Sequence, residues 1–316
     1  MEIRRWDFAN DKELVSSFLR SAALAHKIEE KSQEWFYWKF RDCPYGEAIV
    51  VCAFDDKTIA GCIAMGRWQC EKDGVQMVHG GAFETFVHPG YQGRGLFLKL
   101  IAAVESACEE EGIQFITTFP NTNSIRGYVK MGHIPLNILQ CKMLLLHPIK
   151  TLCCAKSLKR PFVPNKQTIV RNVISDRELY NESKKKGVRH KWTKAYLKWR
   201  FEGLSGSEYY IQDTDAYFAV ARVGYRGAIK ECQIIYIDTY EDVDLIHYFN
   251  VFCKYLIKNA SPDIITCSHS RTSALAKCTR LFIPVPTKVN FAVKSLDPEL
   301  EIGDDIDIRA IAFHTY

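Results

Sequence analysis

The chain has 316 residues, a net charge of +5 from 42 Lys+Arg against 37 Asp+Glu, and 47% apolar residues. At roughly 100–200 residues per domain, that length predicts two domains, each able to bury a core, and the composition excludes disorder. So mild a positive excess carries no electrostatic footprint of a nucleic-acid partner, although a local basic patch could still hold phosphates.

The first twenty residues contain no apolar run of the signal-peptide kind, and nowhere do about 18 apolar residues follow one another, so a cytoplasmic protein without a membrane partner is expected. The twelve cysteines are scattered, many within apolar runs, and none form a CxxC pair. They read as reduced, packed thiols, Cys141 among them, and no metal site is expected.

In chain order, Leu14–Ile28 has helical spacing. Glu47–Phe54 and Ile59–Met65 form a hairpin about the polar turn Asp55-Asp56-Lys57. Val75–Val87 is a longer strand whose Gly80-Gly81 suggests a bulge or a close backbone approach. Gly95–Glu111 is a helix with Leu96, Leu100, Ile101, Val104 and Cys108 as its apolar stripe, while Glu105, Glu109 and Glu110 lie off it and Gly112 ends it. Gln114–Phe119 is a strand, Ser124–Met131 a short helix closed by Gly132, and Ile138–Leu146 the last strand of the half. Mixed strands and helices with hairpins predict an α/β fold with a mixed sheet.

His147–Arg171, with Pro148, Pro161 and Pro164 among lysines and arginines, has linker composition. Beyond it the chain partly repeats. Trp38-Lys39-Phe40-Arg41 is echoed by Trp199-Arg200-Phe201-Glu202, and Phe115-Ile-Thr-Thr…Ser124…Ile134-Pro-Leu by Ile264-Ile-Thr-Cys…Ser273…Ile283-Pro-Val, the latter at a constant offset of 149. A hairpin-like pair, Tyr217–Val223 and Glu231–Ile237, lies between. Two similarly folded halves are therefore expected, with domains at 1–147 and 168–296, a linker at 148–167 and an acidic, solvated tail at 297–316.

Val87-His-Pro-Gly-Tyr-Gln92-Gly93-Arg94-Gly95-Leu96-Phe97 joins a strand to a helix. Orphan N–H groups of a first helical turn, the positive helix end and glycines that expose the backbone converge at such a junction, which suits a pyrophosphate. Arg94 adds a cation. Further on stands Asn121-Thr-Asn-Ser124-Ile-Arg-Gly-Tyr128-Val-Lys-Met-Gly132-His133.

Together these two segments resemble the GCN5-related N-acetyltransferase (GNAT) family. Gln92-Gly-Arg-Gly95-Leu-Phe97 is similar to its acyl-coenzyme A loop, Arg/Gln-x-x-Gly-x-Gly/Ala, with Phe97 where a small residue is usual. The second segment is similar to Asn-x-x-Ala/Ser-x-x-x-Tyr-x-x-x-Gly-Phe, with His133 in place of Phe. The resemblance covers residues 1–147 and reaches the second half only through the internal echo.

The resemblance implies two GNAT-like domains in tandem and a sheet whose central strands splay to admit the pantetheine arm. Backbone groups of Phe86 and Val87 would bind that arm, the loop from Gln92 to Phe97 the phosphates, and Asn121 and Ser124 further polar groups; Asn121 is equally a helix N-cap. Tyr128 would be the general acid for the departing thiolate and Glu84 the general base, unless Glu84 is a structural ion pair; His79 and His88 are secondary candidates. No enzyme nucleophile and no metal are needed.

In the second half the loop position reads Asp238-Thr-Tyr-Glu241-Asp242-Val-Asp244, without glycine, and Lys277 stands where Tyr128 does in the first. Acidic side chains would repel phosphates, so this half is expected to be a degenerate copy. The expected activity is transfer of acetyl from acetyl-CoA to a primary amine of a small molecule, with the aromatic segment Trp35–Arg41 resembling members that act on amino sugars. A monomer or homodimer is expected. A non-catalytic acyl-CoA-binding module, an aminoacyl-tRNA-dependent peptidyl transferase and a mycothiol-synthase-like enzyme are the alternatives.

Overall fold

A computed structural model describes residues 1–165, 174–179, 187–203, 208–241, 243–286 and 289–312. The first half runs β1 (Glu2–Arg5), α1 (Val15–His26), α2 (Gln33–Phe40), β2 (Ile49–Asp55), β3 (Thr58–Lys72), β4 (Val75–Val87), α3 (Leu96–Glu110), β5 (Phe115–Thr118), α4 (Ile125–Lys130), β6 (Ile134–Pro135) and β7 (Leu139–Leu145). It continues with α5 (Pro148–Cys153), β8 (Val163–Pro164), β9 (Val188–His190), α6 (Lys194–Glu202), β10 (Tyr209–Asp213), β11 (Tyr217–Arg226), β12 (Ile229–Thr239), α7 (Leu245–Ala260), β13 (Ile264–Ser270), α8 (Leu275–Cys278), β14 (Ile283–Val285), β15 (Ala292–Ser295) and β16 (Ile306–Asp307).

Local chemistry explains the elements. Val15, Phe18, Leu19 and Ala22 make the buried face of α1, which stops where Lys27 turns left-handed. The aromatic segment becomes α2, started by the Ser32 hydroxyl accepting the Trp35 N–H. Alternate residues of β2 face opposite cores. Val50, Cys52 and Phe54 pack with α1 and α2, whereas Ile49, Val51 and Ala53 pack with α3 and Tyr128 of α4. Among the described residues no helix is long and apolar enough to cross a membrane.

Two compact units form, and each borrows from the other half of the chain. One comprises Met1–Asn137 with Val289–Asp304, the other Ile138–Lys288 with Asp305–Tyr316. In the first, strands follow the order β1-β2-β3-β4-β5-β15-β6; in the second, β10-β11-β12-β13-β7-β14. Position for position the second order repeats β2-β3-β4-β5-β15-β6, each unit having a single parallel pair, β4–β5 or β12–β13, along that order. These are two GNAT-like α/β folds with mixed sheets.

This exchange corrects the expected boundaries at 147 and 296. The strand read as the last of the first half, β7, pairs antiparallel with β13 from Leu139 to Leu145, while β15 supplies the partner of β5. The expected linker also proves structured: Pro148–Cys153 is helical and Val163–Pro164 pairs with β11, whereas Lys166 and Arg171 lie outside the described residues. The tail is not simply solvated either. Ile306, Ile308 and Ala310–Ala312 are buried, and only residues 313–316 fall outside the described chain.

Candidate active site

The site lies where β4 and β5 part. Their parallel pairing runs His79↔Phe115, Gly80↔Ile116, Gly81↔Thr117 and then ends, although β4 continues to Val87. Between the β3–β4 pairs Cys62↔Phe86 and Ala64↔Phe83, Ile63 alone faces Glu84 and Thr85, which makes a bulge. Glu84 takes φ +43°, unusual for a residue with a side chain. The bulge therefore falls at Glu84–Thr85 and not at Gly80–Gly81. Gly81 instead answers a close approach: a Cβ there would stand 3.0 Å from the Trp68 indole.

Beyond Val87 a short turn leads to Gln92, then to Gly93 at φ +76° and Gly95 at φ +70°, which starts α3 with no side-chain cap. A Cβ on either glycine would meet nothing within 4 Å, so both serve the backbone conformation and leave space above the loop. The first N–H groups of α3 thus remain available at its positive end. Arg94 is exposed beside Tyr91, its guanidinium 5.5 Å from the ring. Gln92, although exposed, folds back along the loop, Nε2 donating to the Val87 carbonyl at 3.1 Å, so it braces the loop and occupies one of the backbone groups expected for the pantetheine arm.

Leu96 is buried in the α3 core, and Phe97 leans away from the glycines onto α4. Its ring meets Tyr128 edge-on at 5.4 Å and lies over Gly127. Tyr128 is buried with Thr85 near its hydroxyl, and burial pushes its phenol up to about 12. His133 packs edge-on against the same ring at 4.9 Å, as a Phe would, and its Nε2 meets Glu105 at 2.9 Å. The other oxygen of Glu105 accepts from Lys294 of β15 at 2.6 Å. Glu105 is therefore buried, contrary to its reading as an off-stripe residue; a His at the Phe position was the signal that a partner carboxylate was needed. Asn121 acts as a local cap, its Oδ1 accepting the N–H groups of Asn123 (2.9 Å) and Ser124 (3.0 Å), with the Ser124 hydroxyl beside it.

Glu84 points the other way, towards α1 and α2. Lys39 Nζ lies 2.8 Å from one carboxylate oxygen and His26 Nε2 3.3 Å from the other. Burial alone would raise this carboxyl, but the Lys39 charge and the hydrogen bonds from His26 and Lys39 outweigh it and hold it at about 2. Such a group is a poor proton acceptor at neutral pH, so the geometry favours the ion-pair reading over the general base. His88 accepts the Gly90 N–H in the turn, and His79 is wholly buried, stacked on Phe115. Lys39 and Arg41 lie over the Trp35 and Tyr37 rings, at 4.6 and 4.4 Å, while Phe36 and Phe40 belong to the core. Among the described residues no group of three or more His, Cys, Asp or Glu could hold a metal ion.

In the second unit the corresponding strands stop pairing at Ile234↔Cys267. There the chain's own residues 306–309 enter: the Ser270 N–H donates to the Ile308 carbonyl (2.7 Å), the Ile308 N–H to the Ser270 hydroxyl (3.0 Å), and Arg309 to the Ile237 carbonyl (3.0 Å) and Asp238 (2.9 Å). Asp244 caps α7 and Glu241 pairs with Arg177; Asp242 lies outside the described residues. Lys277, the counterpart of Tyr128, is exposed.

A splayed β4–β5 pair, an uncapped glycine loop and a buried tyrosine on the facing helix make up the candidate site. The model of the acetyltransferase (GNAT) family matches residues 13–133, and the chain as a whole shares the fold of solved GNAT structures. No curated protein matches the sequence. Among solved structures, a GCN5-related N-acetyltransferase from Anabaena variabilis is similar at 13% identity and TM-score 0.60, over 93% of this chain and 72% of that one. Eis1 from Mycobacterium abscessus is similar at 12% identity and TM-score 0.58, over 95% and 75%. N-myristoyltransferase of Saccharomyces cerevisiae, solved with bound myristoyl-CoA, is similar at 15% identity and TM-score 0.53, over 92% and 82%.

Proposed function

We propose that the first unit transfers an acetyl group from acetyl-CoA to a primary amine of a small molecule. One observation carries this reading: the uncapped start of α3 adjoins the gap between β4 and β5, and the buried phenol of Tyr128 sits against that gap through Thr85. The loop amides from Gly93 to Phe97 and the Arg94 cation would neutralise a diphosphate, while the free edge of β4 around Phe86 would pair with an amide-bearing arm. Yeast N-myristoyltransferase with its myristoyl-CoA is consistent with a coenzyme A thioester in this fold.

Tyr128 keeps its proton at neutral pH, as a general acid must. Its hydroxyl would donate to sulfur as the C–S bond breaks, and it would recover a proton from the nitrogen of the new amide. The filled gap in the second unit supports one acyl-CoA site per chain. Incubation with acetyl-CoA and a panel of amines, amino sugars included, with thiol release as readout, tests turnover; calorimetry with coenzyme A tests binding. Turnover with at least one amine is expected. Binding without turnover would instead favour an acyl-CoA sensor, and absence of both would overturn the assignment.

A further inference from the structure

Attack on a thioester requires a free amine, so some group must take a proton from the acceptor ammonium. Both carboxylate oxygens of Glu84 are already engaged by Lys39 and His26, which leaves that residue with little to offer. His26 is differently placed. It is the last residue of α1, its side chain is 35% exposed, and its ring stands edge-on to Phe86 at 6.0 Å, on the strand that borders the gap. Nε2 faces the carboxylate; Nδ1 has no hydrogen-bond partner among the described residues.

We propose that His26 is the proton acceptor of the transfer and that Glu84 is a positioning residue that fixes its tautomer. The proposal rests on the acetyltransferase reading above. An ionised carboxylate can only accept, so in the neutral ring the proton resides on Nε2 and the lone pair on Nδ1. The bulge keeps Glu84 on the α1–α2 face together with Phe83, where it reaches His26, while Thr85 faces the other side, towards Tyr128. Base and acid therefore flank the same point of the strand. His26 Nδ1 takes a proton from the ammonium, the freed nitrogen pair forms the C–N bond, and the C–S pair leaves on sulfur with the Tyr128 proton. The surplus proton on the amide nitrogen restores Tyr128, and His26 gives its own to solvent, so charge and atoms balance. Lys39 holds the second Glu84 oxygen and keeps the carboxylate ionised while His26 is protonated.

Among the described residues, the groups that act on the Glu84 carboxylate besides His26 are Lys39 from α2 and, from β3, the buried Cys62 thiol, which burial keeps protonated. In the full chain, long-range proton–nitrogen NMR of the neutral ring should show His26 as the Nε2–H tautomer, and Glu84→Gln should weaken that preference. With acetyl-CoA and any amine turned over, His26→Gln should lower kcat by about 100-fold or more and abolish the acid limb of the pH profile. Coenzyme A affinity by calorimetry should stay within about twofold. An Nδ1–H tautomer, or an unchanged kcat and acid limb with binding retained, overturns the role of His26 alone. Loss of turnover and binding in the wild-type protein overturns the acetyltransferase reading and this proposal with it.

Discussion

The ring of Phe97 stands 2.5 Å from where a Cβ on residue 127 would be, so Phe97 and Gly127 share one volume between α3 and α4. The large residue in the loop motif is matched by the absence of a side chain on the facing helix, and this is what draws the ring off the loop amides. Gly127→Ala should cost about 1–3 kcal/mol in urea denaturation by overpacking, despite the ~1 kcal/mol that alanine gains in helix propensity. Adding Phe97→Leu should recover most of the loss; an additive double variant would show that the two positions are uncoupled.

Gly95 bears φ +70° at the uncapped start of α3. Gly95→Ala must strain or shift that turn, at about 1–2 kcal/mol for a left-handed residue with a Cβ. Coenzyme A affinity by calorimetry should fall about tenfold or more, with a modest change in Tm. Unchanged affinity would remove the loop from the binding site.

Tyr128→Phe keeps the ring that Phe97 and His133 pack against and removes the hydroxyl. The expected result is a kcat lower by about 10-fold or more with the fold intact. An unchanged kcat would exclude the phenol as acid.

Glu84 is held at about 2, below the ordinary 4.5, because the Lys39 and His26 interactions overcome the opposing effect of burial. A carboxyl lowered on folding stabilises the protein above its unfolded value, and that contribution fades as the pH falls from about 5 towards 2. The stability difference between wild type and Glu84→Gln, measured by urea denaturation across this window, should therefore shrink with acidification. A difference independent of pH would mean that the ion pair contributes nothing.

Much of the fold was readable in local pattern. Helical spacing in Val15–Ala22, the hairpin about Asp56 and the glycines at 93 and 95 each reflect a constraint that acts within a few residues. The repeat was readable too, since two copies of one topology keep apolar residues at corresponding places.

What sequence alone determined is therefore most elements of the first half and their order, the internal repeat, and the glycine turn that leads into α3. Tertiary structure decided which strand completes which sheet, because the alternation in Leu139–Leu145 makes a strand without naming its neighbour. It also decided the company each charge keeps. Glu105 is 28 positions from His133, and Glu84 is 45 from Lys39, so neither pairing leaves a trace in nearby residues. A carboxylate's readiness to take a proton depends on the charges within a few ångströms, and only folding brings those together.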